Sequence, residues 1–154
     1  MWLLINLILI LIVCYIIYNT SLSFLGLYMP FKQTVLPILF FASIAFISKV
    51  ILKATPIVHT LLMVSTCTII TYILSRKIFI LNLCASLLTF IIMILGSLLV
   101  VFPLFNVFGF NLTIKNYYTI NWIILNIGEL SIPMVILILN RMNKFSLINK
   151  IISK

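Results

Sequence analysis

Three observations identify the chain as an all-α polytopic membrane protein, a bundle of about five transmembrane helices. Hydrophobic residues make up 65% of its 154 residues and charged residues only 7%, a balance that no water-soluble fold can hide in a core. The apolar residues come in blocks of about 20, the helix length that crosses a hydrocarbon layer of roughly 30 Å. The alternation of a membrane β-barrel is missing, so backbone polar groups in lipid must pair within their own helix.

The first span covers about 2–18; Asn6 is its only residue outside the apolar set, and a turn is expected at Asn19-Thr20-Ser21. A second runs over about 34–52 and carries Ala42, Ala45 and Ser48 at helical spacing, small residues that let another helix come close. Pro56 opens the third span, 57–74, as a proline does in a first turn, and Arg76-Lys77 close it. The fourth, 78–102, has 25 residues and ends before Pro103; it can cross with some tilt. A polar-leaning connection from Pro103 to Tyr118 leads to the fifth span, 119–140. Residues 1–140 thus form the transmembrane domain, and 141–154 a basic amphipathic cytoplasmic tail. In that tail Met142, Phe145, Ile148 and Ile152 alternate with Lys144, Lys150 and Lys154. It suits either a helix continuing into a partner or an anchor on anionic lipid.

Orientation follows from the basic residues, because positively charged loops stay in the cytoplasm. Lys32, Arg76, Lys77, Arg141, Lys144, Lys150 and Lys154 fall on one side, against Lys49, Lys53 and Lys115 on the other. The carboxyl terminus is therefore expected inside and the amino terminus outside. Tyr117, Tyr118 and Trp122 fit an outer aromatic belt, and Tyr15, Tyr18 and Tyr72 an inner one.

The net charge of +9 does not indicate nucleic acid, since the basic residues sit singly or in pairs at the ends of apolar blocks instead of along a solvated face. Cys14, Cys67 and Cys84 lie inside apolar blocks at spacings of no disulfide framework or zinc motif, and are expected to be small buried hydrophobes. No basic residue precedes the first block, so it lacks the charged start of a secretory signal and is expected to remain as a span. Asn19-Thr20-Ser21 and Asn111-Leu112-Thr113 match the glycosylation acceptor pattern; the first lies on the inner side of this topology.

No catalytic, cofactor-binding or metal-ligating pattern stands out, and no enzyme activity is expected. The candidate functional residues are Glu129, His59, Lys49, Lys53 and Pro133. Glu129 is the only acidic residue of the chain and lies within the fifth span, where an ionised carboxylate is costly. It is either a proton or cation site, the partner of a basic ligand, or a protonated or hydrogen-bonded aid to assembly. Gly128 and Pro133 flank it, and Pro133 removes the hydrogen bond back to the Glu129 carbonyl. His59, the only histidine, lies at the outer end of the third span, on the same side as Lys49 and Lys53. Cys67 follows eight residues later, about 12 Å along a helix, too far for a direct nucleophile and base. That spacing, and Ala54-Thr55 in place of a glycine pair, weaken an analogy with the membrane peptidases that mature signalling peptides.

From Pro56 to Arg141 the order of features resembles the amino-terminal membrane region of AgrC-like sensor histidine kinases, whose kinase part is of the GHKL type. The resemblance is carried by Pro56-Ile57-Val58-His59-Thr60-Leu61-Leu62, by the break at Arg76-Lys77 before a long span containing Ala85-Ser86-Leu87-Leu88, and by Pro103-Leu104 before a closing span with Gly128, Pro133 and Arg141. It implies a sensor or receptor module that takes an extracellular peptide or small ligand and signals through a partner histidine kinase or as a homodimer. Two departures accompany it. Gly96-Ser97 stands where family members often carry an acidic residue, and no cytoplasmic phosphoacceptor histidine or ATP-binding fold is present. The alternative class is a small hydrophobic subunit of a membrane transport or respiratory complex. The expected location is a cell membrane, bacterial and inner, with an organelle membrane as the alternative suggested by the Ile-, Asn- and Lys-rich composition.

Overall fold

The computed structural model describes residues 2–108 and 120–143. Among them every regular element is helical: α1 (Trp2–Phe24), α2 (Phe31–Phe46), α3 (Pro56–Ser75), α4 (Phe79–Gly96), α5 (Phe102–Phe108) and α6 (Ile120–Asn143). Short π-helical segments extend α2 over Ile47–Ile51 and join α4 to α5 over Ser97–Val101. Four stretches are long and apolar enough to cross a membrane: Leu7–Phe24, Phe31–Ile51, Pro56–Ser75 and Phe79–Val101. A shorter apolar stretch, Asn126–Leu139, lies within α6. The chain is a helical polytopic membrane protein.

Helix α1 is apolar on every side, and such a helix belongs in the middle of a bundle. It packs against α2, α3, α4 and α6, which follow one another in an arc around it. Burial agrees: 56% of the Leu7–Phe24 stretch is covered, against 33% or less of the other three spanning stretches.

Polarity is arranged inside out. Leu36, Phe40, Ile57, Leu61, Ile73, Ile80 and Leu99 are exposed, while Thr20, Ser21, Thr71, Asn82, Ser86 and Thr89 are fully buried. Lipid accepts the first set, whereas the second must find partners inside the bundle. Ser21 and Thr89 hydroxyls meet at 2.9 Å, Cys67 Sγ donates to Ser21 Oγ at 3.5 Å, and Thr71 donates to the Cys67 carbonyl at 2.8 Å. At the Arg76 end, Ser75 donates to Asn82 Oδ1, and the Asn82 amide caps the carbonyls of Lys77 and Ile78. The Lys77 ammonium caps the Leu25 carbonyl at the end of α1. One polar staple thus closes the α3–α4 hairpin onto α1.

Several expectations change. Cys84 is exposed, not a buried hydrophobe, while Cys14 and Cys67 are buried. Asn19-Thr20-Ser21 is not a turn: α1 continues to Phe24 and all three residues are buried. Asn19 bonds back to the Tyr15 carbonyl and Ser21 faces Thr89, so these side chains serve packing between helices, and Asn19 is not a surface glycosylation acceptor. The stop comes instead at Gly26, whose φ of 71° allows the Leu27 amide to bond the Leu22 carbonyl at 3.0 Å, a glycine C-terminal cap. Tyr18 leaves the inner belt, being 0% exposed in the core, while Tyr72 remains at the surface against Phe79. Pro103 does not end a helix: it lies inside the continuous run of α4, the π segment and α5, just after the π segment. Ala42, Ala45 and Ser48 are buried as expected. The 141–154 tail beyond Asn143, Asn111, and the Tyr117 and Tyr118 part of the outer belt lie outside the described residues, as does the Trp122 side chain.

The closest approach in the bundle is between α4 and α6. A Cβ on Gly96 would stand 2.9 Å from the Glu129 carbonyl oxygen and 3.1 Å from that of Gly128. A Cβ on Gly128 would collide with Val101 Cγ2. Gly96→Ala is expected to cost about 1–3 kcal/mol, the range for overpacking a tight contact, read as a lowered unfolding temperature in detergent. Val101→Ala should recover most of the loss in Gly128→Ala, whose obstacle is a side chain, and none of the loss in Gly96→Ala, whose obstacle is backbone.

Candidate functional site

At the opposite end of the bundle from Arg76, all five long helices surround one cavity of about 310 Å³, near the small end of the roughly 300–1,000 Å³ of ligand pockets. Its apolar wall comes from α1 (Ile10, Val13, Cys14, Ile17), from Met63 of α3 and from Phe90, Met93 and Ile94 of α4. The polar side is built by Lys49, His59, Thr60, Asn126 and Glu129.

Each polar residue arrives for a local reason. Lys49 lies within the π segment that extends α2; such a turn adds a residue to the helical register and recurs at functional sites. The link to α3 is short and closed by the Ala54 amide bonding the Ser48 carbonyl at 2.9 Å, so His59, in the first turn of α3, lands beside Ser48. Ser48 Oγ lies 2.7 Å from His59 Nδ1 and 3.1 Å from the Ala45 carbonyl oxygen. With one hydroxyl proton there are two arrangements. If the proton goes to Ala45, Nδ1–H donates to Ser48 and Nε2 is an acceptor; if it goes to Nδ1, Nε2 carries the hydrogen.

Glu129 is set by the α4–α6 crossing. Gly96 brings the two backbones together, and Ser97, the next residue and the first of the second π segment, hydrogen-bonds to the Glu129 side chain. Lys49 and Glu129 attract each other across the cavity, and His59 lies within the field of Lys49. Asn126 precedes Glu129 by three residues and therefore shares its helix face; it is buried and lines the same cavity. Pro133, one turn further on, leaves the Glu129 carbonyl without its helical donor. The Gly96 Cα–H group approaches that carbonyl instead, a weak hydrogen bond of a kind common where helices cross closely.

Three of the five candidates, Glu129, His59 and Lys49, thus meet in one place although they are up to 80 residues apart in sequence. Lys53 does not join them: it is exposed, with a left-handed φ of 47° in the α2–α3 link. Pro133 is buried in α6 and acts on its backbone. His59 and Cys67 have separate partners, Ser48 and Ser21. Sequence reasoning missed Ser48, Ser97 and Asn126 as site residues. Asn126 was recoverable from its spacing to Glu129; the π segments that place Lys49 and Ser97 leave no pattern to read. Among the described residues no group of three or more His, Cys, Asp or Glu could hold a metal.

Comparison of the chain with protein-family models, with curated proteins and with solved structures finds no match.

Because His59 is the sole histidine, the chain gives one imidazole in a nitrogen NMR spectrum. We expect the wild-type spectrum to show a bonded Nδ1, Ser48→Ala to move that resonance toward a free imidazole, and Ser48→Thr to preserve it. An unmoved spectrum in Ser48→Ala would show that the bond is not formed.

Proposed function

We propose that the chain is a membrane sensor module whose input site is the Lys49–His59–Glu129 cavity. The observation that carries this reading is that titratable groups from three helices converge on one ligand-sized cavity, and that one of them, Glu129, belongs to the helix that runs on into the basic 141–154 segment. In the orientation set by the basic residues the cavity faces the outside and that segment the cytoplasm. An occupant that prefers one arrangement of α6 over another shifts the population of the two, and the change reaches the 141–154 segment, where a partner histidine kinase or a second copy receives it. Resemblance to AgrC-like receptor regions points the same way. Gly96-Ser97, the point of departure from that family, lies directly against Glu129, so a carboxylate from α6 fills the neighbourhood where the family often has one on its fourth span.

One observation favours the alternative, a subunit for ion or proton passage. A column of buried polar groups, Ser21, Cys67, Thr71, Ser86, Thr89 and Asn82, runs from below the cavity toward the Arg76 end, and the hydroxyls of Tyr18 and Thr20 have no partner among the described residues. Bound water would satisfy such groups. The peptidase reading has less support, since Cys67 is fully buried and pairs with Ser21.

The readings separate on Glu129→Gln. For a sensor, proton uptake into vesicles carrying the protein does not depend on Glu129, while the autophosphorylation of the kinase captured by a photo-crosslinker at Lys150 changes about fivefold or more, the lower end of allosteric coupling. Flux lost in Glu129→Gln with unchanged kinase activity favours the subunit. Reporters fused after Lys77 and Lys154 are both expected on the cytoplasmic side; either one outside overturns the orientation.

A further inference from the structure

We infer that the cavity recognises a small zwitterion, a free amino acid with an apolar side chain, its carboxylate on Lys49 and its ammonium on Glu129. The inference rests on the sensor reading only for where the site lies. It follows from the charges. The cavity lining brings one basic and one acidic side chain, Lys49 and Glu129, within each other's field; as a pair they are neutral overall wherever the proton between them lies, and in a low-dielectric interior an uncompensated charge is the most expensive error. An anionic ligand would take Lys49 and strand Glu129; a cation would strand Lys49. An apolar ligand would separate the pair and satisfy neither. A zwitterion offers each of the two groups a partner of opposite charge and leaves nothing unpaired.

Shape and polarity agree. The two groups come from different helices, Lys49 from the π segment that extends α2 and Glu129 from α6, and Asn126 and Thr60 line the same cavity. Met63, Phe90 and Met93 supply an adaptable apolar wall of the kind that holds an aliphatic or thioether side chain. The volume of about 310 Å³ suits a molecule of this size and excludes a folded peptide.

The test uses the purified full chain in lipid nanodiscs, with the twenty free amino acids as probes and calorimetry as the readout. An amino acid of the leucine, isoleucine or methionine type is expected to bind. Its amide, which lacks the carboxylate, and its N-acetyl derivative, which lacks the ammonium, should each bind at least about tenfold more weakly, as for one lost charge-assisted hydrogen bond. In Lys49→Gln the amino acid and its amide should bind alike, and in Glu129→Gln the amino acid and its N-acetyl derivative should bind alike. These comparisons are made within one variant, so a general loss of stability does not imitate them. Absence of binding by any amino acid, or derivatives as tight as the parent on the wild-type chain, overturns the inference. The sensor reading is decided separately: Met63→Trp, which enlarges a buried side chain of the cavity wall, should change kinase output whether or not amino acids bind. If amino acids bind and output ignores both ligand and Met63→Trp, the site stands and the sensor reading falls.

Discussion

The contact on which the site depends is the crossing of α4 and α6 at Gly96. Two carbonyl oxygens of α6 stand 2.9 and 3.1 Å from where a Cβ on Gly96 would be, so any side chain there would push the two backbones apart. That closeness follows from the sequence on both sides: glycine at 96 and 128, and a proline at 133 that leaves the Glu129 carbonyl free to face the neighbouring helix. In a bilayer no hydrophobic force draws helices together, and close backbone packing has to supply the attraction. With the crossing in place, Ser97 meets the Glu129 side chain and Glu129 is turned toward Lys49. A carboxylate that lipid would reject is thus kept in a polar, enclosed setting.

The rest of the bundle obeys the same rule at lower stakes. Ser21 with Thr89 and Ser75 with Asn82 are interhelical hydrogen bonds, each worth about 0.6 kcal/mol on average in membrane interiors, and Lys77 in the α3–α4 link caps the Leu25 carbonyl just beyond α1. Their value lies in register more than in strength. A hydroxyl on α1 that must meet one on α4 fixes rotation and height together, which leucine against leucine does not. The polar residues of α1 therefore mark the faces that other helices occupy, and the exposed isoleucines and leucines mark lipid.

This explains what the sequence disclosed. The all-helical membrane class was legible because apolar runs and basic ends report directly on the bilayer, and the helix ends near Leu52, Pro56 and Arg76 lie close to those expected, whereas the first helix runs six residues further, to Phe24. Asn19-Thr20-Ser21 misled because polar residues ordinarily mean solvent, whereas here they mean another helix; the glycine cap at Gly26 was the better signal. At the site, Glu129 and His59 stood out by rarity. Their meeting with Lys49 did not, because it depends on two π segments and a helix crossing, features of three-dimensional packing that no local pattern encodes.

Signal size sets a last constraint. Moving a two-state equilibrium from 1:99 to 99:1 takes about 5.5 kcal/mol of differential binding, while one ligand coupled to one distant site commonly supplies about 1–3 kcal/mol. If the bundle is a sensor whose occupant meets Lys49 and Glu129, as proposed, a single copy would fall short of a full switch and give a graded response. Two copies coupled through their 141–154 segments, with both cavities filled, would double the coupling to about 2–6 kcal/mol, whose upper end alone reaches that threshold. A receiver at the end of α6 that brings two chains together would thereby turn a weak local rearrangement at Glu129 into a decisive one, and a receiver that binds one chain would not.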